Sequence, residues 1–219
     1  MSDLRTLYDL RFAATGLAKR HAVWRVLCKH FFSKLVPANS TILDVACGYG
    51  EFINNIRARK KYAIDLNEDS PSHLDPDVNF YHTSATDLSA LPRDEIDVAF
   101  TSNFLEHFHS KDELDLFLRE LHMLLKPGGR FIIMGPNIRY AYREYWDYYD
   151  HHLPLSHLSL VEALALAGFE AEKVIDRFLP YTMKNGAPTG SFVIRAYLKL
   201  SPAWRLFGKQ FLVVARKPA

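Results

Sequence analysis

The sequence contains few cysteines and no long hydrophobic segment. Its two cysteines, Cys28 and Cys47, are too few for a disulfide framework or a cysteine-rich zinc site, which suits a reducing compartment. The longest apolar stretches, such as 211–215, have about five residues, whereas a membrane-spanning helix needs about 20. Acidic residues at positions 3 and 9 stand where a signal peptide has a basic start and an apolar core. We therefore expect a soluble cytoplasmic protein.

Acidic residues are also absent from the last fifth of the chain. All 25 of them lie at or before Asp176, while residues 177–219 carry eight lysines and arginines. With 19 basic and 25 acidic residues, the first 176 positions have a net charge of −6 and the last 43 have +8, although the whole chain has only +2. This separation predicts that the basic end faces an anionic partner or surface.

Short apolar segments alternate along the chain with amphipathic ones. A length of 219 residues with 48% hydrophobic side chains suffices for one buried core. Strands are predicted at 41–46, 62–66, 79–84, 96–102, 130–135, 170–178 and 210–217, and helices at 3–36, 51–60, 111–129 and 158–169. This alternation favours an α/β domain with a doubly wound, mostly parallel sheet. The last two strands could form an antiparallel edge.

A turn rich in small residues follows the first predicted strand. Ala46, Gly48 and Gly50 let a ligand approach the backbone closely. Asp65, which lies 21 residues after Asp44, ends the second strand, where a carboxylate can accept both hydroxyls of a ribose. A dinucleotide site has similar features, but Asp44 would repel a pyrophosphate and could pair with a ligand's ammonium group. The turn therefore predicts a site for an adenosine-containing ligand.

Several segments, taken together, resemble the class I S-adenosylmethionine-dependent methyltransferases. They are ILDVACGYGEF, AIDLN, SATDLSALP, IDVAFTSNFLEHF and LLKPGGRFIIMGPN, and they occur in the family's order and spacing over about residues 40–170. The resemblance implies a seven-stranded Rossmann-like sheet with N-terminal helices and an antiparallel last strand, and S-adenosyl-L-methionine as the cofactor. It is closest to bacterial enzymes found beside glycan and polysaccharide genes.

The resemblance also implies which residues hold the cofactor. The methionine part would be held by Asp44, Ala46, Gly48 and Gly50, and the ribose and adenine flank by Asp65 and Leu66. The adenine would be contacted by Ser84 and Ala85, or else by Asp87. The sulfonium side would be lined by Asn103, Phe104 and Leu105. The chain departs from the family twice. The family often has glycine at the position of Ala46, and it usually has an Asp-Ala pair where this chain has Ser84-Ala85.

Methyl transfer from a sulfonium mainly requires alignment and removal of a proton from the acceptor. His107, after the fourth strand, is the first candidate for the general base, although it could instead cap the next segment or contact the cofactor. His109 beside it is expected at the surface.

The aromatic segment 140–157 follows the fifth strand and is expected to form a wall for the acceptor. It contains His151, the second catalytic candidate, and the acceptor-binding candidates Tyr145, Trp146, Tyr149, Asp150 and His152. The alternative is that several of these rings pack a helix onto the body. We expect no metal site, because consecutive histidines point in different directions on any regular element.

We divide the single predicted domain, 1–219, into a helical cap at 1–38, a cofactor-binding core at 39–178, a basic insertion at 179–209 and a last strand at 210–219. The insertion is unusually long for a connection between two strands. Its apolar and basic residues suit either packing on the body or contact with an anionic membrane or a phosphorylated, lipid-linked acceptor. No signature of nucleic-acid binding is present.

The sequence therefore predicts methyl transfer to a hydroxyl of a sugar, glycan or lipid-linked intermediate, or of a related small molecule. The Asn-Pro-Pro-aromatic signature of nitrogen-methylating relatives is absent after the fourth strand, which favours oxygen. Two alternatives stay open: a nicotinamide-dependent oxidoreductase, and a non-catalytic cofactor-binding subunit that docks through its basic tail. We expect the protein in the cytoplasm, with peripheral contact at the inner face of the membrane.

Overall fold

The computed structural model describes residues 16–181 and 190–219. Within them, seven strands form one sheet: β1 (Thr41–Val45), β2 (Lys60–Asp65), β3 (Val78–His82), β4 (Ile96–Ser102), β5 (Leu125–Pro136), β6 (Glu170–Ile175) and β7 (Gln210–Arg216). Their order is β3-β2-β1-β4-β5-β7-β6. Neighbouring strands are parallel except where β7 pairs with β5 and β6. The predicted α/β class with a mostly parallel sheet and an antiparallel last strand is confirmed.

The last strand lies inside the sheet and not at its edge. β7 pairs antiparallel with β5 on one side and with β6 on the other. The last two strands therefore form an antiparallel edge as predicted, with β6 outermost. Burial explains the arrangement. All of β7 is buried except Arg216, whereas β6 is exposed along most of its length. A polar strand tolerates an edge position better than an apolar one.

The described residues contain six α-helices: α1 (Leu17–His30), α2 (Lys111–Leu124), α3 (Ile138–Tyr145), α4 (His157–Leu166), α5 (Ser191–Lys199) and α6 (Ser201–Phe207). The predicted helix at 3–36 therefore covers α1, and its first part, 3–15, lies outside the described residues.

Caps define the starts of two helices. Ser110 accepts a hydrogen bond from the N–H of Glu113 at α2, and Ser156 forms a reciprocal capping box with Ser159 at α4.

The predicted helix at 51–60 is wrong, because this segment forms consecutive turns. Asn55 donates a side-chain hydrogen bond to the carbonyl of Glu51, and Asn54 donates one to the carbonyl of His73. The bond of Asn55 to a local carbonyl offers the backbone an alternative to a helix, and the bond of Asn54 ties the turns to the segment before β3. The segment nevertheless packs Phe52, whose ring stacks on Phe100 with centroids 3.6 Å apart.

The helix predicted at 111–129 ends at Leu124, and the next five residues already belong to β5. Pro127 cannot continue a helix and keeps the preceding residue extended. The extended backbone is then paired: Gly128 donates to the carbonyl of Lys217, and Lys217 donates to the carbonyl of Gly129.

Two apolar layers cover the two faces of the sheet. On one face, Leu114, Phe117, Leu118 and Leu121 of α2 lie in a buried cluster with residues of β4 and β5. On the other face, α1 and its neighbours form an aromatic cluster that includes Phe32. Because β1 lies between β2 and β4, the chain crosses from one face to the other there, and the crevice forms at the carboxyl ends of these strands. In the described part of the chain, every helix is too short or too polar to cross a bilayer.

Candidate active site

The turn after β1 has an unusual backbone. Ala46, Gly48 and Gly50 all have positive φ angles, of 56°, 55° and 75°. A Cβ atom at Gly50 would also come within 2.7 Å of the Leu74 side chain and 2.8 Å of the Asn54 side chain, both of which would have to move. Ala46 holds a conformation that glycine adopts more readily, which is a local strain of the kind that clusters at binding sites. The turn therefore leaves its backbone accessible to a closely approaching ligand.

Two buried carboxyl groups border this turn. Oδ2 of Asp65 accepts a hydrogen bond from the N–H of Gly48 at 2.8 Å, and its Oδ1 accepts one from the N–H of Asn67 at 2.8 Å. Burial raises the pKa of Asp65. Oδ2 of Asp44 has no hydrogen-bond partner within residues 16–181 and 190–219. Burial, and then the charges of Glu51 and Asp65, raise the pKa of Asp44 well above its ordinary value.

These carboxyl groups give the site a negative character that suits a cation. Glu51 is also buried and forms an ion pair with Arg20 at 2.6 Å. A buried carboxyl oxygen without a partner is costly unless a ligand supplies one. The ammonium and sulfonium groups of S-adenosylmethionine have the charge that Asp44 and its neighbours require, so the residues present fit this cofactor. Glu51 is not among the residues predicted from the sequence, where its only signal is its place one residue after Gly50.

The adenine candidates differ in what their side chains do. Leu66 is half-exposed at the end of β2. Ser84 is partly buried, its hydroxyl lies 2.8 Å from that of Thr86, and Ala85 is buried. Asp87 is exposed and accepts hydrogen bonds from the hydroxyl and the N–H of Ser89, which lower the pKa of Asp87. Because Asp87 stabilises its own turn, the geometry favours Ser84 and Ala85 as the adenine contact.

The residues after β4 occupy three different environments. Asn103 is exposed, has a positive φ of 51°, and donates its N–H to the carbonyl of Met134 at 2.8 Å. Phe104 is half-buried and packs edge-on against Phe108. Leu105 is buried in the core. Within this trio, Asn103 and Phe104 therefore have surface available for a ligand, and the side chain of Leu105 supports them from below.

His107 is held by a carboxylate from a distant part of the chain. Its Nδ1 lies 2.9 Å from the carbonyl oxygen of Asp150 and 3.1 Å from the Oδ2 of the same residue. Both oxygens only accept hydrogen bonds, so Nδ1 carries the proton and Nε2 is the basic atom of the neutral ring. The backbone carbonyl of Glu106 accepts hydrogen bonds from His152 at 2.8 Å and Leu153 at 3.1 Å. These bonds attach the segment around Asp150 to the end of β4.

The pKa of His107 is raised above its ordinary value of 6.5. Burial lowers it, but the hydrogen bonds that His107 donates to Asp150 and the negative charges of Glu106 and Asp150 have the larger combined effect. Glu106 is buried, and its carboxyl group belongs to the same cluster. A histidine in these surroundings takes up a proton readily and is stabilised as the imidazolium, which is what a general base requires.

His151 lies next to His107, in a pocket of aromatic rings. The two imidazole centroids are 5.1 Å apart. Tyr148 stacks on His151 with centroids 4.8 Å apart, and the hydroxyl of Tyr181 lies 3.5 Å from its Nδ1. Ligand-type atoms of Glu106, His107 and His151 all lie within 4.8 Å of one another, so these three side chains are the group in the described residues that could hold a divalent ion.

The acceptor-wall candidates separate into buried and exposed residues. Tyr145 has no exposed surface, and its hydroxyl donates to the carbonyl of Leu153 at 2.7 Å. It packs the segment onto the body, so its prediction as an acceptor contact is corrected. Trp146 and Tyr149 are exposed. His152 is exposed as well and lies against His109, with ring centroids 4.3 Å apart.

Sequence reasoning missed Tyr148 and Tyr181 as neighbours of the histidines. Tyr148 belongs to the aromatic segment but was not selected within it. Tyr181 follows β6 and reaches the site from a position 30 residues after His151. The motifs around β1–β4 carry no signal for this contact.

The sequence profile of a family described as methyltransferase domain matches residues 18–174. The chain belongs to the class I S-adenosylmethionine-dependent methyltransferases. Membership agrees with the seven-stranded sheet and with the negative turn after β1, and S-adenosyl-L-methionine is the cofactor of this family.

Two curated methyltransferases of Mycolicibacterium smegmatis are similar in sequence. One, named a probable S-adenosylmethionine-dependent methyltransferase, is 29% identical over 149 residues, which cover 64% of this chain and 56% of that protein. The other, a fatty-acid O-methyltransferase, is 27% identical over 175 residues, which cover 73% of this chain and 62% of that protein. The chain thus matches about three-fifths of the length of these relatives.

Solved methyltransferase structures share the fold. An S-adenosylmethionine-dependent methyltransferase from Archaeoglobus fulgidus superimposes with a TM-score of 0.70 at 22% identity, covering 98% of this chain and 100% of that one. One from Mesorhizobium loti gives 0.61 at 19% identity, covering 84% and 95%. The [4+2]-cyclase SpnF also gives 0.61 at 19% identity, covering 91% and 81%. The fold therefore accommodates more than one reaction, and the reaction has to be argued from the site.

Proposed function

We propose that this methyltransferase transfers the methyl group of S-adenosylmethionine to a hydroxyl oxygen of a sugar, glycan or lipid-linked intermediate, or of a related small molecule. The observation that carries the proposal is the contact between His107 and Asp150. It places an oriented, basic imidazole after β4, at the same edge of the sheet as the cofactor turn after β1.

The cofactor would be held by the turn and its acidic border. Asp44 would pair with the ammonium group, the backbone around Gly48 and Gly50 would contact the methionine part, and Asp65 would accept the ribose hydroxyls with its remaining lone pairs. Ser84 and Ala85 would contact the adenine, and Asn103 and Phe104 would line the sulfonium side. When bound, S-adenosylmethionine supplies a methyl group already activated by the positive charge on sulfur.

The protein then has to align the acceptor oxygen and remove its proton. Nε2 of His107 accepts this proton as the oxygen becomes methylated, and the carboxylate of Asp150 stabilises the imidazolium that forms. Asp150 also keeps the proton of the neutral ring on Nδ1, so that Nε2 stays available. His151 is buried next to His107. Positioned acid–base groups of this kind contribute about 10²–10⁴-fold to rates.

The exposed part of the aromatic segment supports a flat or apolar acceptor. The rings of Trp146 and Tyr149 are exposed, and Trp146 packs on Tyr145, whose ring also contacts His151. Aromatic faces stack on sugar rings or cover alkyl chains. The fatty-acid O-methyltransferase among the relatives supports oxygen as the methylated atom.

The first experiment separates this function from its alternatives. Calorimetric titration with S-adenosylmethionine and with NAD⁺ should give binding of the former only, and binding of NAD⁺ alone would favour an oxidoreductase. Transfer of a labelled methyl group should then be measured on pools of glycans, lipid-linked sugars and fatty acids. Wild type should label one class of acceptor, whereas His107→Gln should bind the cofactor and label none. Cofactor binding without labelling of any pool would instead support the non-catalytic alternative.

A further inference from the structure

The two helices of the insertion are firmly attached to the body of the protein. Ile194, Leu198 and Trp204 pack on the aromatic cluster that α1 covers. The hydroxyl of Tyr197 donates to the carbonyl of Phe178 at 2.7 Å, and the indole of Trp204 donates to the carbonyl of Tyr197 at 2.8 Å. One face of α5 and α6 therefore packs on the body of the protein, and this packing leaves their other face exposed.

The opposite face of these helices is apolar and exposed. Phe192 is 80% exposed, Leu206 is 72% exposed and Phe207 is 62% exposed, and Val193 and Leu200 are exposed as well. Scattered exposed apolar residues are ordinary, but five within sixteen consecutive positions form a patch of the kind that marks an interaction surface.

Basic side chains surround this patch. Phe192, Arg195 and Lys199 lie at spacings of three and four residues, so they share one exposed face of α5. Arg205 is exposed on α6. The end of the chain from residue 177 onward has no acidic residue to neutralise them.

The tertiary structure extends the basic surface onto α1. α5 packs against α1. Residues 16–43 contain no acidic residue and five lysines and arginines, of which Arg20 pairs with Glu51 and the other four are exposed. The pKa of His30 is lowered, first by desolvation and then by a group of nearby cations, namely Arg195, Lys29, Lys199 and Lys34. Cations from two distant parts of the sequence thus converge around one histidine.

We propose that this surface, formed by α5, α6 and the end of α1, docks the protein on an anionic lipid bilayer. The exposed phenylalanine and leucine side chains enter the interface between headgroups and acyl chains, and the surrounding lysines and arginines contact the anionic headgroups. An acidic protein or a nucleic acid would satisfy the charges but would leave the exposed side chains of Phe192, Leu206 and Phe207 without a favourable environment, so the combination favours a membrane.

This inference does not depend on the identity of the methyl acceptor. A docked enzyme would, however, be held where lipid-linked acceptors are found. Binding to lipid can be measured without turnover, so a failure of this proposal and a failure of the proposed reaction are distinguishable.

The test is sedimentation of the purified protein with vesicles of phosphatidylcholine containing about one-third phosphatidylglycerol, compared with vesicles of phosphatidylcholine alone. At low salt the protein should sediment with the anionic vesicles and remain mostly in solution with the neutral ones. Each basic residue near the bilayer contributes about fivefold to the partition coefficient, so Arg195→Glu with Lys199→Glu should weaken binding by at least twentyfold. Physiological salt should weaken binding of the wild type as well.

The apolar contribution is tested separately by Phe192→Ser with Phe207→Ser. Circular dichroism and cofactor affinity should stay unchanged in both double variants, because neither pair belongs to the buried face or to the candidate active site. The matched control is Lys111→Glu with Leu166→Ser, which changes an exposed cation and an exposed leucine on α2 and α4. The proposal is overturned if wild type ignores anionic vesicles at low salt, or if the control variant loses as much binding as the other two.

Discussion

The N–H of Gly48 donates a hydrogen bond to Oδ2 of Asp65 over 2.8 Å. This bond joins the turn after β1 to the end of β2 and fixes both halves of the candidate cofactor site relative to each other. The second carboxylate oxygen of Asp65 accepts from Asn67 in the same way, so both oxygens already shape the backbone before any ribose is present.

Asp65→Asn should weaken S-adenosylmethionine binding by at least tenfold, measured by calorimetry. One of the two backbone donors would face an amide NH₂ group instead of an acceptor, and an unpaired buried donor costs about 1–3 kcal/mol. Asp87→Asn is the matched control, because Asp87 is exposed and bonds to its own turn. An equal loss in the control would assign the adenine contact to Asp87 and contradict our preference for Ser84 and Ala85.

Asp44→Asn should stabilise the protein while it weakens cofactor binding. The folded protein holds the proton of Asp44 more tightly than the unfolded chain does. The contribution of this group to stability is therefore fully present below its unfolded pKa, near 3.8, and is lost as the pH rises toward its folded pKa.

The amide introduced by Asp44→Asn does not ionise, so the gain in stability should grow with pH. At pH 8 we expect a rise in Tm of about 2–4 °C for about 1 kcal/mol. Thermal unfolding at pH 5 and pH 8, with calorimetry of the cofactor, checks this. A Tm difference that shrinks with rising pH would contradict the prediction.

The pH dependence of kcat/KM should show an acid limb set by His107. The pKa of His107 lies above 6.5. Activity should therefore fall as the pH drops through this raised pKa, because the protonated ring cannot accept a proton. Asp150→Asn removes the carboxylate that raises this pKa, so the acid limb should move to lower pH and kcat should fall. An unchanged limb in Asp150→Asn would mean that a group other than His107 sets it.

Trp146→Ala should raise the KM for the acceptor by about two- to tenfold, as expected for the loss of one aromatic contact, and leave the cofactor Kd unchanged. Trp146 is exposed, so its removal leaves no buried cavity. Leu166→Ala, on the exposed face of α4, is the control. A larger effect of Leu166→Ala than of Trp146→Ala on KM would place the acceptor elsewhere.

Tyr145→Phe, by contrast, should lower Tm because it removes the hydrogen bond to Leu153.

Micromolar Zn²⁺ should inhibit methyl transfer, and a chelator should restore it. Glu106, His107 and His151 offer ligand atoms within 4.8 Å of one another, a set that suits this ion, and a bound ion would occupy the basic nitrogen of His107. The purified enzyme should keep its activity in the chelator alone, since a sulfonium methyl group needs no further activation. His151→Ala should reduce the inhibition. Loss of activity in the chelator, restored by added metal, would instead make the cluster a functional metal site.

Much of the cofactor side could be predicted from local sequence. The strand, the small-residue turn and the acid that ends β2 lie within 25 consecutive residues, and the positive φ angles of Gly48 and Gly50 require the residue type that the sequence provides. Strand positions followed from apolar, β-branched runs, and Ile96–Ser102 was predicted with its observed bounds. The helix predicted at 51–60 is a series of turns, in which Asn55 bonds to the local carbonyl of Glu51 and Asn54 bonds to the distant carbonyl of His73.

What the sequence by itself determined is the order of the strands along the chain, the shape of the turn after β1 and the excess of basic residues in the last 43 positions. These depend on neighbouring residues, whose spacing and conformational preferences are local. Only the tertiary structure decided that β7 lies between β5 and β6, that Asp150 orients His107, and that the cations of α5 meet those of α1. Each of these joins groups that are far apart along the chain, and their proximity results from the packing of the whole sheet and its helices, which no local pattern contains.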